Sequence, residues 1–566
     1  MVARPHSSGA SLALAAPVDQ LFVATEINEW ALCSALRDRN PFEWSGLEQA
    51  LAAAALENAD DPEQEIPPAL EEGAAFARFE RLALQESDPQ LRAFLDAAQA
   101  RHLQHCMDND MLTLGSGAGS GNFALTQLPS VESLAWAELH NVPTAVVTGS
   151  NGKTTTVRLL AHCAQAHGWL PAYCCTEGVL VDGESLAAGD YSGPAGARMV
   201  IRERRAQAAI LETARGGILR RGIAVSRADV AVVTNISSDH FGEYGIDDLD
   251  ALAEVKLSVA AVVPAEGLLI LNADDAMLRH KAKTLAQRFG RLPPLGWFAL
   301  DAESPFLQQH RIRGGWTCGV RDGHLRAHYR GTDHDIGPIA SMPLTVGGKA
   351  TYNIANLAGA ALAAMVLGVP ATTIAAVFGH FGADPADNMG RMMRFEIGGV
   401  HVVLDYAHNP AGLRGLLSVA GPLRTHSARL GLVLGHAGNR RDAEIELLAK
   451  AAAEFRPDFI VVKENESHLR GRASGEVPHL IHAALLREGM VESALSMRMT
   501  ELEAARHALD LAHPGDVLVL PVHAAAARTA VLEMLEAKKS APPRQNSPGI
   551  AAAHESAEIT NPDNGG

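Results

Sequence analysis

The chain is poor in cysteine, with six in 566 residues. Cys33, Cys106, Cys163, Cys174, Cys175 and Cys318 show neither the density of a disulfide framework nor C-x-x-C zinc spacing, and a reducing cytoplasm is their simplest home. No run of about 18 uninterrupted apolar residues occurs, so no membrane span is expected. The N-terminal MVARPHSSGASLALAAPVDQ offers one arginine and a short apolar patch, a poor match to a signal peptide. Bases are in deficit: 48 Lys and Arg face 65 Asp and Glu, for a formal charge of −17. Binding a phosphate backbone wants clustered cations, and this balance argues against a nucleic-acid partner.

One glycine is missing as well. The stretch VVTGSNGKTTTVRLLAHC, Val146 to Cys163, reads as a phosphate-binding loop, yet the pattern G-x-x-x-x-G-K-[ST] would place a glycine at position 147, which is Val147. The first glycine arrives only at Gly149. The context is nonetheless right. An apolar strand, PTAVVT (143 to 148), runs into Gly149, Ser150, Asn151, Gly152, Lys153, Thr154 and Thr155, then into a helix with Val157, Leu159, Leu160 and Cys163 on its apolar side. Backbone N–H groups at that helix start can ring a β-phosphate, Lys153 can reach β and γ oxygens, and Thr154 can hold Mg²⁺. The shortened loop keeps its donors.

Around this loop, composition indicates a folded chain: 47% of residues are apolar and 20% charged, and the length suggests about three or four domains. Buried strands are expected at QAAILE (207 to 212), DVAVVT (229 to 234) and LLIL (268 to 271), giving a parallel α/β sheet. A second set, VVLD (402 to 405), LGLVLG (430 to 435), FIVVK (459 to 463) and DVLVLP (516 to 521), predicts a Rossmann-like sheet. The first 140 residues carry no chemical motif. NADDPEQEIPPALEEG (58 to 73) reads as an acidic surface segment, GSGAGSGN (115 to 122) as a flexible linker or binding loop, and 540 to 566 as a disordered tail.

Two further strand ends carry chemistry. Glu212 closes the strand AAIL just before ARGG, where a metal or water ligand is expected, and DVAVVT leads to Asn235, Asp239 and His240. Three strand ends converging in this way make a site.

These residues carry a family resemblance. The order G-S-N-G-K-T-T, E-T-A-R-G-G, T-N-I-S-S-D-H, a lysine at Lys256 and N-I-A-N at 353 to 356 resembles the Mur ligase family. Within it, ETARGGILRRG (212 to 222), TNISSDHFGEYGIDDLDALAEVK (234 to 256), GRMMRFEIGGVHVVLDYAHNPAG (390 to 412), GNRRD (438 to 442) and VVKENESHLRGRASGEV (461 to 477) resemble the Mur-ligase-like half of cyanophycin synthetases. The resemblance covers about residues 110 to 535.

It implies an ATP-dependent ligase joining an amino acid to a carboxylate or peptide acceptor through an acyl phosphate. The implied architecture is a central P-loop parallel-sheet ATPase domain (141–393) and a C-terminal Rossmann-like domain (394–539), after a small N-terminal domain (1–140) and before the tail (540–566). Gly149, Ser150, Asn151, Gly152, Lys153, Thr154 and Thr155 would bind the triphosphate. Thr154, Glu212, His240 and Lys256 would hold Mg²⁺, with Lys256 carried as a carbamate. Asn353 and Asn356 would lie near adenine, with Tyr352 where many relatives have histidine. Arg391 would contact the γ-phosphate as the C-terminal domain closes, and Asp405 the ribose. His408 and Asn409 share that loop. Lys463, Glu464, Arg470 and Arg472 would either meet the amine substrate or form a surface ion network. The cyanophycin enzymes add a basic amino acid with this half, which would suit acids such as Glu464. About 130 residues precede the loop, too few for the ATP-grasp module of those enzymes. Alternatives are a catalytically silent nucleotide-binding module that regulates or scaffolds a partner, and a folylpolyglutamate or peptidoglycan-type ligase.

Overall fold

A computed structural model describes residues 2–6, 9–39, 72–238, 241–424 and 428–540. The predicted acidic segment up to residue 71, the predicted tail after 540, and both Asp239 and His240 lie outside the described residues.

Strand Thr144–Thr148 is buried at every residue in the interior of an 11-stranded sheet. A run such as TAVVT asks for this, because a parallel sheet is covered by helices on both faces. Across the sheet the strands follow the order Thr332–Pro338, His324–Tyr329, Trp316–Arg321, Leu295–Asp301, Leu268–Asn272, Val230–Val233, Thr144–Thr148, Ala208–Glu212, Pro171–Cys175, Gly178–Val181 and Glu184–Ala188. Every pairing from Trp316–Arg321 to Pro171–Cys175 is parallel. The sequence pattern predicted that parallel core, but an antiparallel ribbon extends each edge. The ribbons lack a continuous apolar run; Thr332–Pro338, reading TDHDIGP, is largely exposed.

Helices Lys153–Ala166 and Thr351–Leu367 cover one face of this sheet, and Pro194–Arg202 and Leu249–Lys256 the other. Thr144–Thr148 lies between Ala208–Glu212 and Val230–Val233. The crossover from this strand runs to Pro171–Cys175 on one side, the later one from Ala208–Glu212 runs to Val230–Val233 on the other, and a crevice opens at the carboxyl ends of the three strands.

A six-stranded sheet follows, in the order Met393–Ile397, Val400–Asp405, Val517–Pro521, Leu430–Leu434, Phe459–Lys463 and Leu495–Arg498. It is parallel except for its first hairpin. Helices Pro410–Ala420, Asp442–Ala453 and Glu476–Arg487 pack on one face; Glu501–Leu511 and Ala525–Ser540 pack on the other. This is the predicted Rossmann-like layering.

Before the central sheet, helix Pro89–Ala100 covers a three-stranded antiparallel sheet of His105–Met107, Met111–Leu114 and Gly121–Ala124. The glycine-serine run at 115 to 122, predicted to be flexible, is instead a mostly buried junction. Ala118 donates its N–H to the Ala206 carbonyl at 2.7 Å, Ser116 donates to the His140 carbonyl at 3.0 Å, and Val142 donates to Ser116 Oγ at 2.9 Å. These bonds fix the three-stranded sheet to the central one. None of the six cysteines is in a disulfide, and among the described residues no helix is long and apolar enough to cross a membrane.

Candidate active site

The missing glycine has a structural answer. Val147 is still inside the strand, paired with Glu212 on one side and Val232 on the other, so the loop begins only at Gly149. Gly149 and Gly152 have φ of +144° and +85°, conformations that favour glycine. A Cβ on Gly149 would stand 1.9 Å from Thr234 Oγ1, and one on Gly152 would stand 2.1 Å from Asn356 Oδ1. The T-N-I-S segment holds the loop between them. Thr234 Oγ1 donates to the Asn151 carbonyl at 2.5 Å, the Asn151 N–H donates to Asn235 Oδ1 at 3.0 Å, and the Ser150 N–H donates to the Asn235 carbonyl at 2.9 Å. The N–H groups of Ser150 and Asn151 are thus turned inward. Those of the first turn of Lys153–Ala166 have no partner within a helix and face the crevice with the positive end of its dipole. Lys153 Nζ donates to the Ser150 carbonyl at 3.2 Å.

Beside this helix start lies Glu212, 1% exposed. Its Oε2 accepts a hydrogen bond from Thr154 Oγ1 at 2.8 Å, while its Oε1 has no partner. Burial pushes the Glu212 carboxyl above its ordinary value, against the pull of Lys153, the Thr154 bond and Arg391. Thr154 Oγ1 also lies 3.2 Å from Thr176 Oγ1. Lys256, predicted to be a metal ligand, is 3% exposed at the end of Leu249–Lys256, and its Nζ donates to the Gly149 carbonyl at 2.9 Å. Among the described residues no three His, Cys, Asp or Glu side chains form a cation cage, so of the predicted metal set Glu212 and Thr154 are the pair in contact.

The next residues come from the junction with the second sheet. Arg391 Nη2 donates to Thr176 Oγ1 at 3.3 Å, and its guanidinium lies 4.1 Å from the centre of the Tyr406 ring. Asp405 accepts the Met392 N–H and the Ala407 N–H, each at 2.7 Å, and burial raises its carboxyl. Oδ2 of the predicted ribose ligand therefore also braces the hinge, the segment 388–395 that enters the six-stranded sheet, while Oδ1 holds the turn to Ala407. Asn353 donates to the Leu344 carbonyl at 3.0 Å and accepts from Asn356 Nδ2 at 3.2 Å. Asn356 stands against Gly152 of the loop. Tyr352 donates its hydroxyl to Met392 Sδ at 3.3 Å. Asn409 Nδ2 donates to Asn151 Oδ1 at 3.0 Å, and His408 Nδ1 lies 3.3 Å from the Tyr406 carbonyl. Thr155 Oγ1 accepts from Asn388 at 3.3 Å.

The K-E-N-E-S-H-L-R-G-R segment divides. Lys463 is fully buried in an ion pair with Glu501. Glu464 accepts from Ser474 Oγ at 2.8 Å and from the Gly475 N–H at 2.6 Å, so it braces the start of Glu476–Arg487. Arg472 donates to the carbonyls of Gly438 and Arg440 and pairs with Asp442 and Glu476. Lys463 and Arg472 therefore follow the ion-network alternative, Lys463 in the core rather than at the surface, and Glu464, at the end of a buried strand, is engaged by the next helix. Arg470 alone of the four predicted residues lines the cleft, together with Asn465, whose Oδ1 is buried without a partner.

That cleft has a volume of about 1280 Å³ and runs between the two sheets from Lys153 and Glu212 to Asp405 and Arg470. Among the described residues nothing before Ser150 lines it. Sequence reasoning missed Thr176, Glu177, Tyr406 and Arg528 in its wall. Thr176 and Glu177 follow strand Pro171–Cys175 at the same sheet edge as Glu212, and that position was the available signal.

Comparison with known proteins agrees with this geometry. The Mur ligase middle domain matches residues 147–297, and the Mur ligase glutamate ligase domain matches residues 390–521. A cyanophycin synthetase of Nostoc sp. is 37% identical over 387 residues, 67% of this chain and 41% of that one. The chain thus spans about two fifths of such a relative. The UDP-N-acetylmuramoyl-L-alanyl-D-glutamate--2,6-diaminopimelate ligase of Synechococcus elongatus is 27% identical over 70% of this chain and 75% of its own. E. coli FolC in complex with ADP shares the fold, with a TM-score of 0.50 at 19% identity over 70% of this chain and 90% of that one. Matched over much of the central sheet and over the six-stranded one, and through the loop, the Glu212 strand and the Arg391 segment that build the cleft, the chain belongs to the Mur ligase family.

Proposed function

We propose that the chain is an ATP- and Mg²⁺-dependent ligase, cyanophycin-synthetase-like, that activates a carboxylate of an acidic or peptidic acceptor and joins it to the amine of an amino acid. The observation that carries this reading is the open oxygen of Glu212, buried between the phosphate-loop helix and Arg391.

The residues fit both groups. The cradle from Gly149 to Gly152 has no room for a Cβ at either end, and the first helical turn from Lys153 to Thr155 presents N–H groups suited to phosphate oxygens. A buried carboxylate oxygen with no partner beside a threonine hydroxyl is the ligand pair a hard cation takes. By resemblance His240 and a carbamylated Lys256 would complete the metal shell. Mg²⁺ bound there would offset phosphate charge.

The acceptor carboxylate attacks the γ-phosphorus and ADP departs, leaving an acyl phosphate; the amine then attacks the acyl carbon and phosphate leaves. The first step brings anions together, so Lys153 and Arg391 stabilise the charge that accumulates. Asp405 takes the ribose end. Asn353 and Asn356 brace the loop from below, and Ser150 and Asn151 shape it through Asn235. The amine side of the cleft is the wall of Asn465 and Arg470, where an acceptor atom and a cation stand apart from the phosphate end.

The test is phosphate release from ATP and Mg²⁺ with each common amino acid, paired with aspartyl peptides and related carboxylates and read by mass spectrometry for a condensed product. A condensed product is expected. ATP binding without product for any pair would count for the silent-module reading.

A further inference from the structure

Two adjacent residues in the turn after strand Pro171–Cys175 of the central sheet hold two arginines, Arg391 just before strand Met393–Ile397 and Arg528 on helix Ala525–Ser540. Thr176 accepts from Arg391, and Glu177 forms an ion pair with Arg528 at 2.6 Å. The Arg528 and Glu177 side chains are 6% and 17% exposed, so this pair crosses the junction out of bulk water. Both guanidinium groups approach Tyr406, Arg391 at 4.1 Å and Arg528 at 5.7 Å from the ring centre. Arg528 also lies against Gly390, the residue before Arg391, where a Cβ would stand 2.8 Å from Arg528 Cδ. Its second nitrogen, Nη1, reaches the Val522 and His523 carbonyls at 3.5 and 3.4 Å.

The two arginines differ in their partners. The Arg528 charge is neutralised by a carboxylate, whereas Arg391 has a hydroxyl, a carbonyl and an aromatic face. A paired, buried cation is a fixed strut, whereas Arg391, held by a hydroxyl, a carbonyl and an aromatic face and acting on Glu212 and Asp405 at longer range, keeps part of its field for an incoming anion.

We infer that Arg528, locked to Glu177, is a positioning residue that sets Arg391 through Gly390 and the Tyr406 ring. This rests on the ligase reading for its effect on turnover, but its effect on the hinge is independent of it. A misplacement of about 1 Å in such a group costs about 10²-fold in rate.

The experiment uses full-length Arg528→Gln, Glu177→Gln, Arg528→Lys and the charge exchange Glu177→Arg with Arg528→Glu. ATP turnover is measured beside hydrogen exchange of the backbone from Asn388 to Phe395. Each single Gln variant is expected to lower kcat by about 10²-fold with the KM for ATP within about threefold, and to speed hinge exchange by about tenfold. Arg528→Lys should fall between, and the exchanged pair should recover part of both. Hinge exchange equal to wild type in both Gln variants overturns the inference. Fast hinge exchange in the variants, with no condensation even by the wild type, keeps the strut and removes the ligase reading instead. Should a Gln variant fail to fold, Arg528→Lys and the exchanged pair decide the matter by the same two measurements.

Discussion

Thr154 Oγ1 donates to Glu212 Oε2 at 2.8 Å, and the other oxygen of that carboxylate is left buried and open. A raised carboxyl pKa means that the ionised form is destabilised in the unliganded protein, and that a bound cation would relieve it. Glu212→Gln is therefore expected to lower Mg²⁺-dependent turnover by about 10²–10³-fold while leaving the unliganded Tm equal or higher. It should also lose most of the Tm gain that ATP and Mg²⁺ give the wild type. Thermal unfolding with and without nucleotide measures both effects, and a variant that keeps the full gain would remove Glu212 from the metal site.

Lys153→Ala should abolish turnover, with a loss of about 10³-fold or more, because a phosphate-rich transition state loses its nearest cation. Lys153 makes one hydrogen bond, to the carbonyl of Ser150, so the fold should survive. Normal ligation by this variant would contradict the placement of the triphosphate.

Lys256, which the family resemblance implies is carried as a carbamate, is buried and reaches the carbonyl of Gly149 at the mouth of the loop. If it carries a carbamate, Lys256→Ala loses activity and short-chain carboxylates restore part of it. An intact-mass gain of about 44 Da in bicarbonate buffer at a pH near 8 is the direct check, since carbamylation needs the free amine. Full activity of Lys256→Ala without additive would make the lysine a bystander.

The loop, Glu212 and the core strands were legible because each rests on a local signal: a strand that ends in glycine, or a carboxylate that closes an apolar run. Tyr406, Glu177 and Arg528 were not, because they meet only when two sheets dock; Glu177 and Arg528 are separated by hundreds of residues of sequence that no periodicity connects. At Glu464 and Lys463 the sequence left substrate binding and an ion network both open. Charged residues after an apolar strand look like a site from sequence, and here a helix start and a buried partner consume them. The glycine-serine run at 115 to 122 failed for a third reason: small residues permit close packing as readily as flexibility.

The last prediction concerns pH. His523 sits with Nδ1 3.3 Å from Lys463 Nζ and 3.1 Å from Asn465 Nδ2, and with Nε2 3.1 Å from the Ala407 carbonyl. That geometry suits the neutral ring, with Nε2–H donating to Ala407 and Nδ1 accepting. Burial, together with the Lys463 charge, lowers His523 to about 3. Its partner Glu501 is pushed up by burial, but the Lys463 charge and backbone N–H groups outweigh this and hold it at about 2. Both folded values lie below the unfolded ones of about 6.5 and 4.3, so in acid the unfolded chain binds more protons at each site. The His523 contribution to stability is complete above about pH 6.5 and is lost at up to about 1.4 kcal/mol per pH unit below it, with a further loss from Glu501 below about 4.3. His523→Gln, which can still donate to Ala407, should flatten the first limb between pH 6.5 and 4.5 and leave the second. Tm measured across that range for both proteins decides it: parallel curves would show that the imidazole at 523 is not held neutral by the fold.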